Sequence, residues 1–304
     1  MRRGPRVTVS DIPNDLRAIA AKEAPLWPMT SMRIGGPARW LLRPTSIEAL
    51  RQSITWAQSN GERWMILGAG TNVIFPDSGF PGIVIATPSV QGSDVDGVRV
   101  TVSCGEPLAN VAQRMHSLGL SGLEWAVGIP GTVGGGVATN AGAYGADMAS
   151  VLDCVTLATE DAVLEKRADE LGLAYRTSAI RSGDVTGVIL RATLRLREDR
   201  AQRRWERVEA YTAQRRHSQP SGASAGCIFK NPVAGPAAGA MLDRAGCKGL
   251  RVGLAVVSER HANFIINEGR ENAADILRLI DQMHDRVLTT FGIDLVPEVE
   301  IIRA

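Results

Sequence analysis

Apolar residues along this chain recur at helical spacing in some stretches and at strand spacing in others, and the two kinds alternate. Ile47, Leu50, Ile54 and Ala57 mark one face of a helix that the capping pattern Thr45-Ser46-Ile47-Glu48 opens and Asn60-Gly61 closes. The continuous run Trp64-Met65-Ile66-Leu67 reads as a strand directly after it. Pro107 opens a second helix, with Leu108, Val111, Met115 and Leu118 on one side and Gly119 at its end. Segments 151–158 and 163–166 read as short strands about a turn at Glu160-Asp161. From 187 to 197 the alternation is strict: Val188, Leu190, Ala192, Leu194 and Leu196 take one face, and Arg191, Thr193, Arg195 and Arg197 the other. The charged stretch from Arg197 to Arg216 reads as a surface helix. Asn272 caps a helix with Ile276, Leu279, Ile280, Met283 and Val287 as its apolar stripe, stopping at Gly292, and a last strand is expected over about 297–302. This mixture predicts an α/β or α+β fold over the first two thirds, and α+β is the class expected for the whole. With no internal repeat or linker, element order alone places the boundary near 198, and the expected division is a segment 1–32, a first domain 33–198 and a second domain 199–304.

Composition narrows the chemistry. The 304 residues are 44% hydrophobic and 22% charged, ordinary for a globular protein with a substantial core. Basic and acidic residues number 34 and 32, so no electrostatic footprint for nucleic acid or an anionic membrane exists. Only four of the basic residues are lysines, which makes Lys230 conspicuous. The four cysteines, at 104, 154, 227 and 247, have neither metal-site spacing nor the density of a disulfide framework, and no metal is expected. The start Met-Arg-Arg-Gly-Pro-Arg leads into Val7-Thr8-Val9-Ser10-Asp11 rather than a signal-peptide core, and no apolar run is long enough to span a bilayer. A cytoplasmic protein is expected.

The run Gly128-Ile129-Pro130-Gly131-Thr132-Val133-Gly134-Gly135-Gly136-Val137-Ala138-Thr139-Asn140-Ala141-Gly142-Ala143-Tyr144-Gly145 holds seven glycines in eighteen positions. Such a segment can bring bare backbone N–H groups against an extended anion, and a dinucleotide pyrophosphate is the candidate. A shorter run, Gly68-Ala69-Gly70-Thr71-Asn72, ends the strand 64–67, where ligands sit in α/β folds. Neither run fits a standard phosphate fingerprint, and glycine runs also serve simply as tight turns. Spacing alone does not choose between these readings.

Order does. Arg33-Ile34-Gly35-Gly36-Pro37-Ala38, the two glycine runs, Tyr175-Arg176-x-Ser178, Arg215-Arg216-x-x-Gln219-Pro220, Gly226-Cys227-Ile228-Phe229-Lys230-Asn231-Pro232, Ser258-x-x-His261-Ala262-Asn263-Phe264 and Pro297-Glu298-Val299 follow one another along nearly the whole chain. In this order they resemble the UDP-N-acetylenolpyruvoylglucosamine reductases, in a compact subtype without an inserted substrate-closing loop. The resemblance implies an FAD-binding domain of the vanillyl-alcohol-oxidase (PCMH) type followed by a smaller α/β substrate-binding domain. It also implies NADPH-dependent reduction of an enolpyruvyl ether to a lactyl ether in peptidoglycan precursor synthesis.

By this resemblance Arg33, Gly68, Ala69, Gly70, Thr71, Asn72, Gly128, Ile129, Pro130, Gly131, Thr132, Gly134, Gly135, Asn140, Gly142 and Ala143 hold FAD. Alanine at 69 requires a negative φ there. The histidines 116, 217, 261 and 284 lie outside both loops, so the flavin is expected to be non-covalent. Arg176 and Glu298 match the groups that stabilise the negative charge formed when hydride reaches the vinyl carbon. Cys227 stands where the family usually has the serine that protonates C2; a thiol, with a pKa of about 8.5, is the stronger acid. Tyr175, Arg216, Lys230 and Asn231 match substrate-binding positions. A monomer acting on a UDP-sugar is expected. The competing readings are a PCMH-type flavin oxidase acting on a sugar or aldonolactone, and a non-catalytic flavin-binding relative.

Overall fold

The computed structural model describes residues 12–269 and 272–303. The expectation for Val7 to Asp11 lies outside them. Two compact units emerge, and they do not follow a single cut in sequence: one comprises the described residues up to Lys22, Trp40–Ala69 and Gly82–Gln214, and the other Glu23–Arg39, Gly70–Pro81 and the described residues from Arg215 on. The second is therefore not the C-terminal stretch 199–304 alone. Met32, Ile34 and Ile74 belong to the same buried cluster as Ile228, Phe229, Met241, Ile276, Met283 and Val299, so burial recruits the two early segments.

In the first unit an antiparallel five-stranded sheet has the order Val163–Arg167, Leu152–Ala158, Val188–Arg195, Arg99–Ser103, Ser93–Asp96. Val188–Arg195 is central, and its inward residues Val188, Leu190, Ala192 and Leu194 are buried as the alternation predicts. Thr193, expected on the polar face, is buried too, because its hydroxyl pairs with that of Thr101 on the neighbouring strand at 3.2 Å. Trp64–Leu67 forms as expected and runs parallel to Phe80–Ala86. The helices Ile47–Ser59 and Leu108–Ser117 cover the core with Leu50, Ile54, Val111 and Met115. Ser46 rather than Thr45 is the N-cap of the former, accepting from the Ala49 N–H at 3.1 Å, and Glu48 pairs with Arg51 instead of completing a capping box.

The charged helix forms over Ala201–Ser218, but its arginines are not simply solvated. Arg204 is buried, and Arg207 reaches Glu124 at 2.7 Å, Asp199 at 2.5 Å and Ser121 at 3.0 Å. In the second unit Ala273–Phe291 is capped by Asn272, whose side chain accepts from Asp275 N–H, and ends at left-handed Gly292. It packs Ile276, Leu279, Ile280 and Met283 into a core shared with a three-stranded antiparallel sheet of Arg251–Val252, Ala255–Val257 and Ile265–Asn267. The expected last strand shortens to Glu300–Ile301, parallel to Val73–Ile74. Among the described residues no helix is long and apolar enough to cross a membrane.

Candidate active site

Gly68 and Ala69, the start of the shorter glycine run, share the first unit with the longer run. Gly68 lies so close to Thr132 that a Cβ there would sit 2.7 Å from the threonine hydroxyl oxygen. Thr132 is buried and caps the short helix Val133–Ala138, accepting from Gly135 N–H at 3.3 Å. The long run is thus a loop feeding a glycine-built helix rather than loop throughout, and Gly128 and Gly131 take positive φ on the way in. Gly128, Pro130 and Gly135 stay exposed. An open ridge of side-chain-free backbone beside Gly68 suits a pyrophosphate, and these residues fit FAD. Ala69 keeps out of the left-handed region, as required, and Gly70 takes the positive φ of that loop at 62°.

Arg176 occupies the tip of a tight turn. Ala174 and Thr177 exchange backbone hydrogen bonds at 3.1 Å each way, leaving Tyr175 and Arg176 between them. Arg176 has φ 57°, a conformation that glycine ordinarily supplies in such turns. Its guanidinium carbon lies 5.5 Å from the Tyr175 ring centre, a cation–π approach, and Tyr175 is exposed. Ser178 anchors the turn from the far side, donating to Ala138 O at 2.7 Å and capping Ala179–Ser182. Asn140 anchors the near side. Its Nδ2 donates to Ala174 O and to Asp147 Oδ2, each at 3.0 Å, and its Oδ1 accepts from Ala149 N–H at 2.9 Å. The Asn140 side chain is thus spent on protein contacts, and the residue is 2% exposed.

In the second unit Cys227 and Glu298 are brought onto adjacent backbone. Cys227 bridges Phe264, Ile228 N–H donates to Asn263 O at 2.9 Å, and Glu298 N–H donates to Ile228 O at 2.7 Å. Lys230 N–H donates to Val296 O and Phe229 bridges Pro297, so residues 227–230 run between 263–264 and 296–298. Asn263, a residue the sequence reading left without a role, locks this ladder. Its side chain donates to Phe229 O at 2.8 Å and accepts from Phe229 N–H at 2.9 Å, imitating a strand partner.

Cys227 and Asn231 open on a cleft of about 310 Å³ that Gly239, Asp243, Lys248, Arg260 and His261 also line; Lys230 and Glu298 are not part of that lining. Asn231 uses Oδ1 to accept from Ala238 N–H at 2.9 Å, which fixes the start of the helix Ala238–Arg244 and leaves its amide nitrogen as the donor group. His261 was missed as well. Its Nδ1 accepts from Asn263 N–H at 3.2 Å, which places the ring proton on Nε2, and burial pushes its pKa down, so it is neutral at pH 7. Only the absent Cβ of Gly239, which would stand 2.8 Å from His261 Cε1, lets the ring lie there. Arg216 is exposed; its carbonyl accepts from Arg260 at 3.1 Å. The motif 258–264 is visible in the sequence, but nothing in it says which side chain turns inward.

The cysteines divide sharply. Burial pushes the Cys104 thiol up to about 12 and raises those of Cys154 and Cys247. Cys227 alone is half-exposed and cleft-lining.

Residues 218–302 match the family model for the UDP-N-acetylenolpyruvoylglucosamine reductase C-terminal domain, and residues 38–167 match that for an FAD binding domain. The UDP-N-acetylenolpyruvoylglucosamine reductase of Gloeobacter violaceus is 42% identical, with 90% of this chain and 93% of that protein aligned. The Bacillus subtilis enzyme of the same name is 37% identical over 91% and 92%. The crystal structure of the Thermus caldophilus reductase superposes with a TM-score of 0.80 at 34% identity, covering 93% of this chain and 98% of that one. With its glycine ridge, its Arg176 turn and its Cys227–Glu298 ladder in family order, this chain belongs to the UDP-N-acetylenolpyruvoylglucosamine reductase family.

Proposed function

We propose that this chain reduces UDP-N-acetylglucosamine enolpyruvate to UDP-N-acetylmuramate, a step of peptidoglycan precursor synthesis, with FAD as non-covalent cofactor and NADPH as hydride donor. The observation that carries the reading is the backbone ladder that brings Cys227 and Glu298 onto adjacent segments, in a chain 42% identical to a reductase of that name over nine-tenths of its length. The flavin-oxidase alternative is disfavoured because the segment holding both residues matches the reductase-specific C-terminal model.

The backbone of Gly68–Thr71 and Gly128–Gly135, with Gly142 and Ala143, would hold FAD; once bound it supplies a two-electron hydride relay between nicotinamide and substrate. Arg176 faces the substrate carboxylate with a fixed positive charge, placed in advance of the negative charge that develops there. Cys227 holds a proton on Sγ for C2, and Glu298 supports the charge-bearing end of the enolate. Asn231 donates to the diphosphate through its amide nitrogen, with Lys230 and Arg216 adding charge and Tyr175 an aromatic wall. His261, Lys248 and Arg260 add neutral and cationic donors along the cleft. A monomer in the cytoplasm is part of the same proposal, supported by the nucleotide-linked substrate and the nicotinamide donor.

The test is anaerobic. One equivalent of NADPH bleaches the flavin band, and UDP-N-acetylglucosamine enolpyruvate then restores it promptly. Bleaching without recovery would assign a different acceptor.

A further inference from the structure

The shorter glycine-rich run ends in an asparagine and the longer one contains another, and in both cases the side chain grips backbone next to a residue assigned to catalysis. Asn72 closes the shorter run. Its Nδ2 donates to Glu298 O at 3.2 Å, and its own carbonyl accepts from Glu300 N–H at 3.0 Å, extending the parallel pairing of Val73 with Glu300. The N–H of Glu298 goes to Ile228 O at 2.7 Å. Both peptide groups of Glu298 are thereby fixed, one by the segment carrying Cys227 and one by Asn72. Asn140 closes the core of the longer run and does the equivalent in its own unit. Its amide bonds Ala174 O, the first carbonyl of the turn that holds Arg176 in a left-handed conformation, while its remaining donor and its acceptor go to Asp147 and Ala149.

From this geometry we propose that Asn72 and Asn140 are positioning residues, setting Glu298 and the Arg176 turn respectively, rather than ligands of the cofactor held by the glycines before them. The inference rests on the catalytic assignment of Glu298 and Arg176. A strained turn and a two-residue strand are weakly self-supporting, so each depends on an outside hydrogen bond to keep its side chain on target. Displacement by about 1 Å is enough to cost a hundredfold in an oriented reaction.

The experiment compares Asn72→Ala, Asn72→Gln, Asn140→Ala and Asn140→Ser with the wild type in three readouts: FAD affinity by titration of the apoprotein, the two half-reactions by anaerobic stopped flow, and amide hydrogen exchange of peptides covering 172–178 and 296–301. The expected result is an FAD Kd within about threefold of wild type, flavin reduction by NADPH within about threefold, and reoxidation by the enolpyruvyl substrate slowed tenfold or more. Exchange should rise over 296–301 in the Asn72 variants only, and over 172–178 in the Asn140 variants only. Asn72→Gln, which keeps an amide donor, should recover part of the lost rate. Asn140→Ser, smaller but polar, covers the case in which Asn140→Ala does not fold. An FAD Kd raised tenfold or more with local exchange unchanged would make them cofactor ligands and overturn the proposal. If the wild type itself is not reoxidised by this substrate, the reaction assignment fails, and unchanged exchange in the two segments would still overturn the positioning.

Discussion

Cys227 differs from the other three thiols in exposure and in opening on the cleft, and its chemistry is testable by small changes. Cys227→Ser should retain substantial turnover, because serine can carry the same proton, whereas Cys227→Ala should be reduced normally by NADPH and reoxidised slowly by substrate; equal reoxidation rates in wild type and the alanine variant would remove the thiol from the mechanism. Arg176 offers a separation of backbone from charge. Glycine tolerates its φ of 57° better than arginine does, so Arg176→Gly should leave the melting temperature unchanged or slightly raised while reoxidation by substrate falls a hundredfold or more. At Gly68 the missing Cβ is what matters: Gly68→Ala meets the Thr132 hydroxyl and should weaken FAD binding at least tenfold, read by titrating the apoprotein. Residue identities at these places were legible in the chain, because the motifs name them. Side-chain destinations were not. Asn140 looks like any loop asparagine until the Ala174 turn, thirty-four residues on, is folded against it.

Helices and strands that bury one face were read correctly because periodicity records burial. The stripes of Ile47–Ser59, Leu108–Ser117 and Ala273–Phe291 appear where the apolar spacing put them, except that the second helix ends at Ser117 and Leu118, expected on its buried face, is its C-cap and is exposed. The misreadings concern polar groups that find partners far away in sequence. Thr193 was placed outside and is inside because Thr101 faces it, and the arginine-rich helix was read as solvated although Arg207 meets Glu124 and Asp199. For Glu124, burial alone would raise the pKa, but hydrogen bonds from Arg207, Gly122 N–H and Ser121 more than offset it and hold the carboxyl below its ordinary value. Its stabilising contribution is present above an unfolded pKa of about 4.3 and is lost as pH falls through the depressed folded value. Arg207→Ala leaves a largely buried carboxylate without its cation and should destabilise the first unit by roughly 3 kcal/mol, measured by urea unfolding at pH 7. Gly239→Ala tests the cleft in the same spirit: the new methyl pushes the His261 ring toward the opening, raising KM for the UDP-sugar while leaving reduction by NADPH unchanged.

Across the whole chain the two units carry titrating groups of opposite sign. In the first, burial and then Arg204 push the His116 pKa down, so its contribution is present above about pH 6.5 and is lost as pH falls toward its folded value, in the same direction as Glu124. In the second, Asp294 and then Asp285 raise the pKa of His284, whose contribution is present below about 6.5 and is lost as pH rises through the folded value. Five of the six tryptophans, Trp40, Trp56, Trp64, Trp125 and Trp205, lie in the first unit, so fluorescence reports it preferentially. Urea midpoints read by fluorescence should drop between pH 7 and pH 5, and His284→Gln should flatten any decline between pH 6 and pH 8 seen by circular dichroism. The chain moves from one unit to the other at 22/23, 39/40, 69/70, 81/82 and 214/215, cutting the Gly68–Asn72 run after Ala69. Inheritance has to respect that weave. A gene fragment encoding only 215–304 would lack Met32, Ile34, Ile74 and the strand partner of Glu300–Ile301, and should yield insoluble polypeptide. Chimaeras between relatives will tolerate exchange of the C-terminal stretch only when 23–39 and 70–81 travel with it, so this enzyme evolves as one cassette although it packs as two.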